Sequence, residues 1–274
     1  MPFLDHLEEL RWRLLRCIVA LMGGTLAGFA IVYRYDPIEW LIQPIKPYLP
    51  GGRLMATDIA GPIAIYTKLA FTIGVAIALP VTLYQAWAFI SPALRRHERR
   101  AAVTVIGAST LLFVAGAALA FFYAVPSTLG LSDHLTRSSL TMVPEAGQYF
   151  ETLTSFVLIF GLAFEVPVVL VGLAAVGLLS SRQLARGRRF AAAGVFLFAA
   201  IITPGDAMTT NFILAGPLYL LFEASIIVSW LMERRRRAAG AAGLDADDRN
   251  ALALVGLLAP SILQRAHASR FAAA

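Results

Sequence analysis

Apolar residues run through this chain in long blocks, separated by short stretches rich either in arginine or in proline and glycine. Blocks of that length read as helices that cross a bilayer, because about twenty apolar residues span its hydrocarbon core. Six are predicted, at about Leu14–Tyr33, Ile63–Ile90, Ala101–Ala124, Thr154–Leu179, Phe190–Thr203 and Phe212–Leu231. The fifth is only fourteen residues long, roughly 21 Å as a helix, and Pro204-Gly205-Asp206 forbids its extension. Ahead of the first block, Phe3, Leu4, Leu7, Leu10 and Leu14 recur at helical spacing with Asp5, Glu8 and Glu9 among them. That pattern predicts an amphipathic helix on the membrane surface that runs into the first span. Between the first two spans, Pro37, Pro44, Pro47, Pro50 and Pro62 break regular structure, and Trp40, Leu41 and Ile42 predict a short capping helix. The polar stretch Val125–Tyr149 reads as a solvated loop with room for a short helix, and Pro80 predicts a kink in the second span.

Composition narrows the class. The chain is 58% apolar with a mean hydropathy of +0.72, against about 45–50% apolar in an ordinary soluble domain. Its charge of +6 comes almost wholly from arginines, and these cluster in the gaps between apolar blocks. Clusters so placed read as orientation signals, with the basic loops on the cytoplasmic side, and not as nucleic-acid contacts. Arg11, Arg13 and Arg16 mark the N-terminus as inside, and Arg234, Arg235, Arg236 and Arg237 do the same for the C-terminus. Residues 1–16 then form the leading helix, 14–233 the six-span membrane domain, and 234–274 a basic and mostly disordered cytoplasmic tail. The first block is too long, and too acidic at its front, for a cleavable signal sequence. One cysteine, Cys17, excludes an internal disulfide and a cysteine metal cluster. His134 has no partner at ligand spacing, and no nucleotide loop, phosphate cradle or nucleophile elbow is present, so neither enzyme, metal nor cofactor is expected.

Two acids lie inside apolar blocks. Glu165 is the one ionisable residue from Thr154 to Leu179, and an acid at mid-membrane costs about 2.5–3.5 kcal/mol on insertion scales. It reads either as an intramembrane polar centre or as a protonated acid bonded to a carbonyl freed by Pro167. Glu223 lies similarly in the sixth block. An ion-coupled solute transporter would use Glu165 and Glu223 as a proton relay, but the matched pair of broken helices usual in that class is missing. Glu8, Glu9 and Glu98 recur among basic residues on the cytoplasmic side, as local salt bridges or as a cation-binding patch.

Several motifs in order give a more specific reading: His6-Leu7-Glu8-Glu9-Leu10-Arg11; Tyr84 to Leu94 with His97-Glu98-Arg99-Arg100; Phe160-Gly161 with Phe164-Glu165-Val166-Pro167; Thr203-Pro204-Gly205-Asp206; and Pro217-Leu218-Tyr219 with Phe222-Glu223. From Leu4 to Leu231 the chain resembles TatC, the multispanning receptor of the twin-arginine protein translocase. The resemblance implies an all-α inner-membrane protein of six spans with both termini cytoplasmic, a concave glove-like bundle with short fifth and sixth helices. It implies a receptor that binds twin-arginine signal peptides of folded proteins, assembles with single-span TatA/TatB-type partners and further copies of itself, and works by proton-motive force. By the same resemblance Glu9, Leu10, Arg11, Phe89 and Glu98 form the signal-peptide patch, Pro44 and Asp206 are functional in outer loops, and Thr203 and Thr210 lie near the partner-binding ends of the last two helices. Two guanidiniums suit such acids, since charge-assisted pairs give both affinity and selectivity over lysine. Arg95-Arg96 and Gly205 depart from the family's common aromatic-containing turn and second proline.

Overall fold

A computed structural model describes residues 2–49, 52–90, 99–136, 144–202, 211, 215–235 and 238. The described regular structure is helical: α1 (Pro2–Tyr35), α2 (Ile38–Leu41), a 3-10 helix (Gln43–Tyr48), α3 (Gly61–Ile90), α4 (Arg99–Leu119), a π-helical turn (Ala120–Ala124), α5 (Val125–Thr136), α6 (Ala146–Ala163), α7 (Val166–Val176), α8 (Ser181–Arg186), α9 (Arg188–Ile202) and α10 (Ala215–Arg235). Five stretches are long and apolar enough to cross a membrane: Leu7–Tyr35, Gly61–Ala86, Ile106–Gly130, Ala146–Ala175 and Ala215–Arg235. α9 has 15 residues, roughly 22 Å, and is the short one among the predicted spans. α10, expected to be short as well, has 21 residues, roughly 31 Å, enough to cross.

The leading segment and the first apolar block form one continuous helix. α1 packs antiparallel to α3: Arg13 lies by Gln85, Thr25 by Gly74 and Asp36 by Tyr66. Two backbones come this close because glycine lines the seam. A Cβ on Gly74 would fall 2.6 Å from the Thr25 backbone, and one on Gly24 would fall 2.5 Å from the Gly74 carbonyl oxygen. Small residues let helices approach where lipid offers no hydrophobic drive of its own. α4 and α6 repeat the device, also antiparallel. Gly116 lies against Phe160, and a Cβ there would fall 2.5 Å from the Phe160 carbonyl oxygen.

Two predicted elements are corrected. The segment starting at Val125 does hold a short helix, α5, but this continues the third span with Val125 buried, where a solvated loop was expected. The π turn just before it explains the continuation, because a widened turn gives the Pro126 ring room that a regular α turn denies. The fourth apolar block starts earlier than expected, at Ala146, and breaks at Phe164-Glu165 into α6 and α7. Glu165 N–H donates to the Leu162 carbonyl at 3.1 Å, a tightened last turn, and Pro167 opens α7 where no N–H is needed. At Pro80, by contrast, α3 runs on as one helix.

At the end of the bundle where α1 finishes, the proline-rich connection is packed, as expected of a cap. Ile45 is fully buried among Val32, Leu69, Phe121 and Phe150, and Trp40 stacks on Phe121 at 5.0 Å. The Tyr149 hydroxyl donates to the Leu41 carbonyl at 2.6 Å. Ala146 N–H donates to the Met55 carbonyl at 2.8 Å, joining this connection to the start of α6. A second core of Ala120, Phe160, Phe164, Ala199 and Leu218 fills the space among α4, α6, α9 and α10. Outward, Val19, Leu26, Ile63, Leu111 and Leu197 are each more than half exposed. Apolar surface of that extent is what a lipid-facing wall requires. The chain divides into two compact units, Met1–Ile226 and Ile227–Ala274. In the second, Arg234 lies over the Trp230 ring at 5.5 Å, and the expected tail falls outside the described residues apart from Arg234, Arg235 and Ala238.

Candidate functional site

The structure brings part of the predicted patch together at the end of the bundle where α1 begins. Glu9, on α1, is half-buried and accepts from Arg13, one turn on, through both Nε (3.0 Å) and Nη2 of the guanidinium. Arg13 Nη1 lies 3.5 Å from Oε1 of Gln85, a buried side chain on α3. The same antiparallel register, four residues back on α1 and four forward on α3, sets Glu9 level with half-buried Phe89. Leu10 and Arg11 are exposed on α1. Glu98 lies outside the described residues, as do Thr203, Asp206 and Thr210. Pro44 sits half-buried in the 3-10 helix, at the opposite end of the bundle from Glu9.

The two acids of the apolar blocks belong to separate networks. Glu165, 6% exposed, accepts from the Ser109 hydroxyl across the α4–α6 seam, and its Oε1 has no partner among the described residues. The Pro167 break leaves Glu165 at the mouth of α7 with its side chain turned away from capping that helix. Glu223 is more open. It accepts from the Tyr219 hydroxyl at 2.9 Å and pairs with Arg188 at 2.9 Å, so it is anchored to the basic start of α9. No hydrogen bond among the described residues joins Glu165 to Glu223.

Beside Glu165 an apolar groove of about 600 Å³ opens between the α6–α7 break and the last two helices, lined by Leu162, Val166, Pro167, Val195, Phe198 and Leu218 among others. Toward the end of the bundle where α1 finishes, Lys68 of α3 pairs with Glu151 of α6 at 2.9 Å. Sequence reasoning missed Arg13, Gln85, Ser109 and Arg188 as partners of these acids. Arg13 and Arg188 read only as orientation signals, Gln85 stood in a motif without a role, and Ser109 carries no signal of its own. Among the described residues no group of three or more His, Cys, Asp or Glu is placed to hold a metal.

An all-helical, multi-pass membrane protein is the class that this fold and these sites define. A family model for the Sec-independent protein translocase protein (TatC) matches residues 5–217. TatC of Halothiobacillus neapolitanus is 37% identical over 250 residues, 91% of this chain and 67% of that protein. TatC of Escherichia coli K12 is 36% identical over 230 residues, 83% and 88% of the two chains. A crystal structure described as the twin arginine translocase receptor TatC superposes with a TM-score of 0.67 at 36% identity, covering 82% of this chain and 98% of that one. The chain belongs to the TatC family, a protein-transport component of the Tat system and not an enzyme.

Proposed function

We propose that this chain is the receptor of a twin-arginine translocase in the cytoplasmic membrane, binding the paired arginines of signal peptides on folded proteins. The observation that carries the reading is the seam of α1 and α3, which holds Glu9 level with Phe89 from segments far apart in sequence. A carboxylate beside an aromatic suits a guanidinium, which bonds the one and stacks on the other. Leu10 and Arg11 border this patch, and Glu98, on the loop that follows α3, supplies the second carboxylate.

In this reading α9 is a sixth, short span, both termini are cytoplasmic, and the bundle presents a concave glove-like face. The membrane domain is 14–233, preceded by the surface-lying 1–16 and followed by the tail 234–274. α9 and α10 dock a single-span partner of the TatA or TatB kind, with Thr203 and Thr210 at their outer ends. The apolar groove beside Glu165 supports this, since its lining comes from α6, α7, α9 and α10 and is almost wholly hydrocarbon. Pro44 and Asp206 shape the outer loops, Glu165 is the polar floor of the concave face, and further copies of the chain complete the complex. With no nucleotide motif in the sequence, the proton-motive force supplies the energy.

Binding of an Arg-Arg signal peptide to detergent-purified protein, with a Lys-Lys peptide as control, tests the proposal. Losing one charge-assisted pair, about 1.5 kcal/mol or more, is expected to weaken binding roughly tenfold in Glu9→Ala and in Glu98→Ala. Unchanged affinity in both variants would refute the receptor assignment. Liposomes of the purified chain that move a small solute with protons, without partners, would favour a transporter.

A further inference from the structure

The patch that the proposed function assigns to a signal arginine already holds an arginine. Of the three arginines at the front of α1, Arg11 and Arg16 are exposed, whereas Arg13 is half-buried. Its guanidinium places two donors on one oxygen of Glu9, and its third nitrogen reaches back to Gln85 on α3. A surface Glu–Arg pair one helical turn apart is commonplace and weak. This one differs in that a buried amide on a second helix, Gln85, lies 3.5 Å from the remaining guanidinium nitrogen.

We propose that Arg13 is a resident guanidinium occupying the carboxylate that receives a signal arginine, and that the peptide gains Glu9 by exchange. The inference rests on the receptor reading of Glu9. The physical logic is that one oxygen of Glu9 already holds two donors of the Arg13 guanidinium in the resting state, so a second guanidinium gains that oxygen only by displacing them. The incoming guanidinium then replaces like with like. Glu9 passes from one fork to another, and Arg13, on its long stem, swings to solvent or to Gln85 alone. Exchange adds the same cost to every ligand that must displace Arg13, so it sets the threshold of binding and leaves the Arg-to-Lys preference to the geometry of the site.

The test is peptide binding to detergent-purified full-length protein, with an Arg-Arg signal peptide as probe, in wild type, Arg13→Gln, Arg16→Gln, Glu9→Gln and the Glu9→Gln/Arg13→Gln double variant. Exchange predicts that Arg13→Gln binds about two- to fivefold tighter, the strength of the pair it removes. Arg16→Gln, which sheds the same charge without removing donors from Glu9, is expected to gain much less, and the Arg13→Gln gain is expected to vanish when Glu9 is already Gln. Unchanged or weaker binding in Arg13→Gln would overturn the proposal, as would an equal gain in Arg16→Gln, which is general relief of charge repulsion. If Glu9→Gln weakens binding while Arg13→Gln fails to tighten it, only the exchange falls. If Glu9→Gln binds like wild type, Glu9 is not the receiving carboxylate and both the exchange and that assignment fall.

Discussion

Glu165 shows how much a single residue's meaning depends on what faces it. In the sequence it is an acid stranded in hydrocarbon beside a proline. In the fold it accepts from Ser109 on the facing helix, and its second oxygen is buried without a partner among the described residues. Ser109→Ala removes that donor and leaves the carboxyl alone, and is expected to cost about 1 kcal/mol, read as a lower thermal midpoint in detergent. Glu165→Gln keeps an acceptor for Ser109 and is expected to hold both stability and transport, while Glu165→Leu keeps the fold and loses transport. Equal export by the Gln and Leu variants would reduce Glu165 to scaffold. Glu223 asks a different question, because Arg188 neutralises it. Its depth in the apolar block was visible in the sequence, but its partner lies thirty-five residues away and only packing brings the two together.

At the scale of elements, helix positions followed from hydrophobic run length, and helix ends and seams did not. The α1–α3 seam depends on Gly24, Gly28 and Gly74, residues that sit unremarked inside apolar blocks until a second backbone lies against them. Gly74→Val inserts a branched side chain where a Cβ alone meets the Thr25 backbone at 2.6 Å. The expected loss is about 1–3 kcal/mol of stability, together with weaker signal-peptide binding as Glu9 and Phe89 lose their register, measured by thermal unfolding and peptide titration on the same preparation. A milder case closes α7, where Gly177 has φ +85 and Leu178 N–H donates to the Leu173 carbonyl at 3.0 Å. The Ser180–Gln183 capping box then opens α8. Gly177→Ala is strained at that φ and is expected to cost about 1 kcal/mol. The π turn before Pro126 was illegible for a related reason. A proline marks where a regular helix is in trouble, and the neighbouring turn decides whether the helix stops or widens.

For the whole molecule, the groove beside Glu165 is the feature with the widest consequence. If a single-span partner docks there, a cysteine at Val195 on its wall is expected to crosslink to the partner helix, and one at Leu111, exposed on α4 outside its lining, is not. Crosslinking of both to the same extent, or of Leu111→Cys alone, would move the partner to another face. Sequence alone determined that this is a membrane protein built from helices, because run length and arginine placement follow directly from the thickness of a bilayer and the preferred side of positive charge. It also made the fifth predicted span short, since Pro204-Gly205-Asp206 follows that apolar run directly in the sequence. Tertiary structure decided which side chains meet: Glu9 with Arg13 and Gln85, Glu165 with Ser109, Glu223 with Arg188. Hydrophobic periodicity carries one number per residue and tells which positions leave water. Inside a bilayer every face of a helix is apolar, so that number no longer says which face packs against protein, and only small residues, breaks and paired charges, brought together by the fold, can.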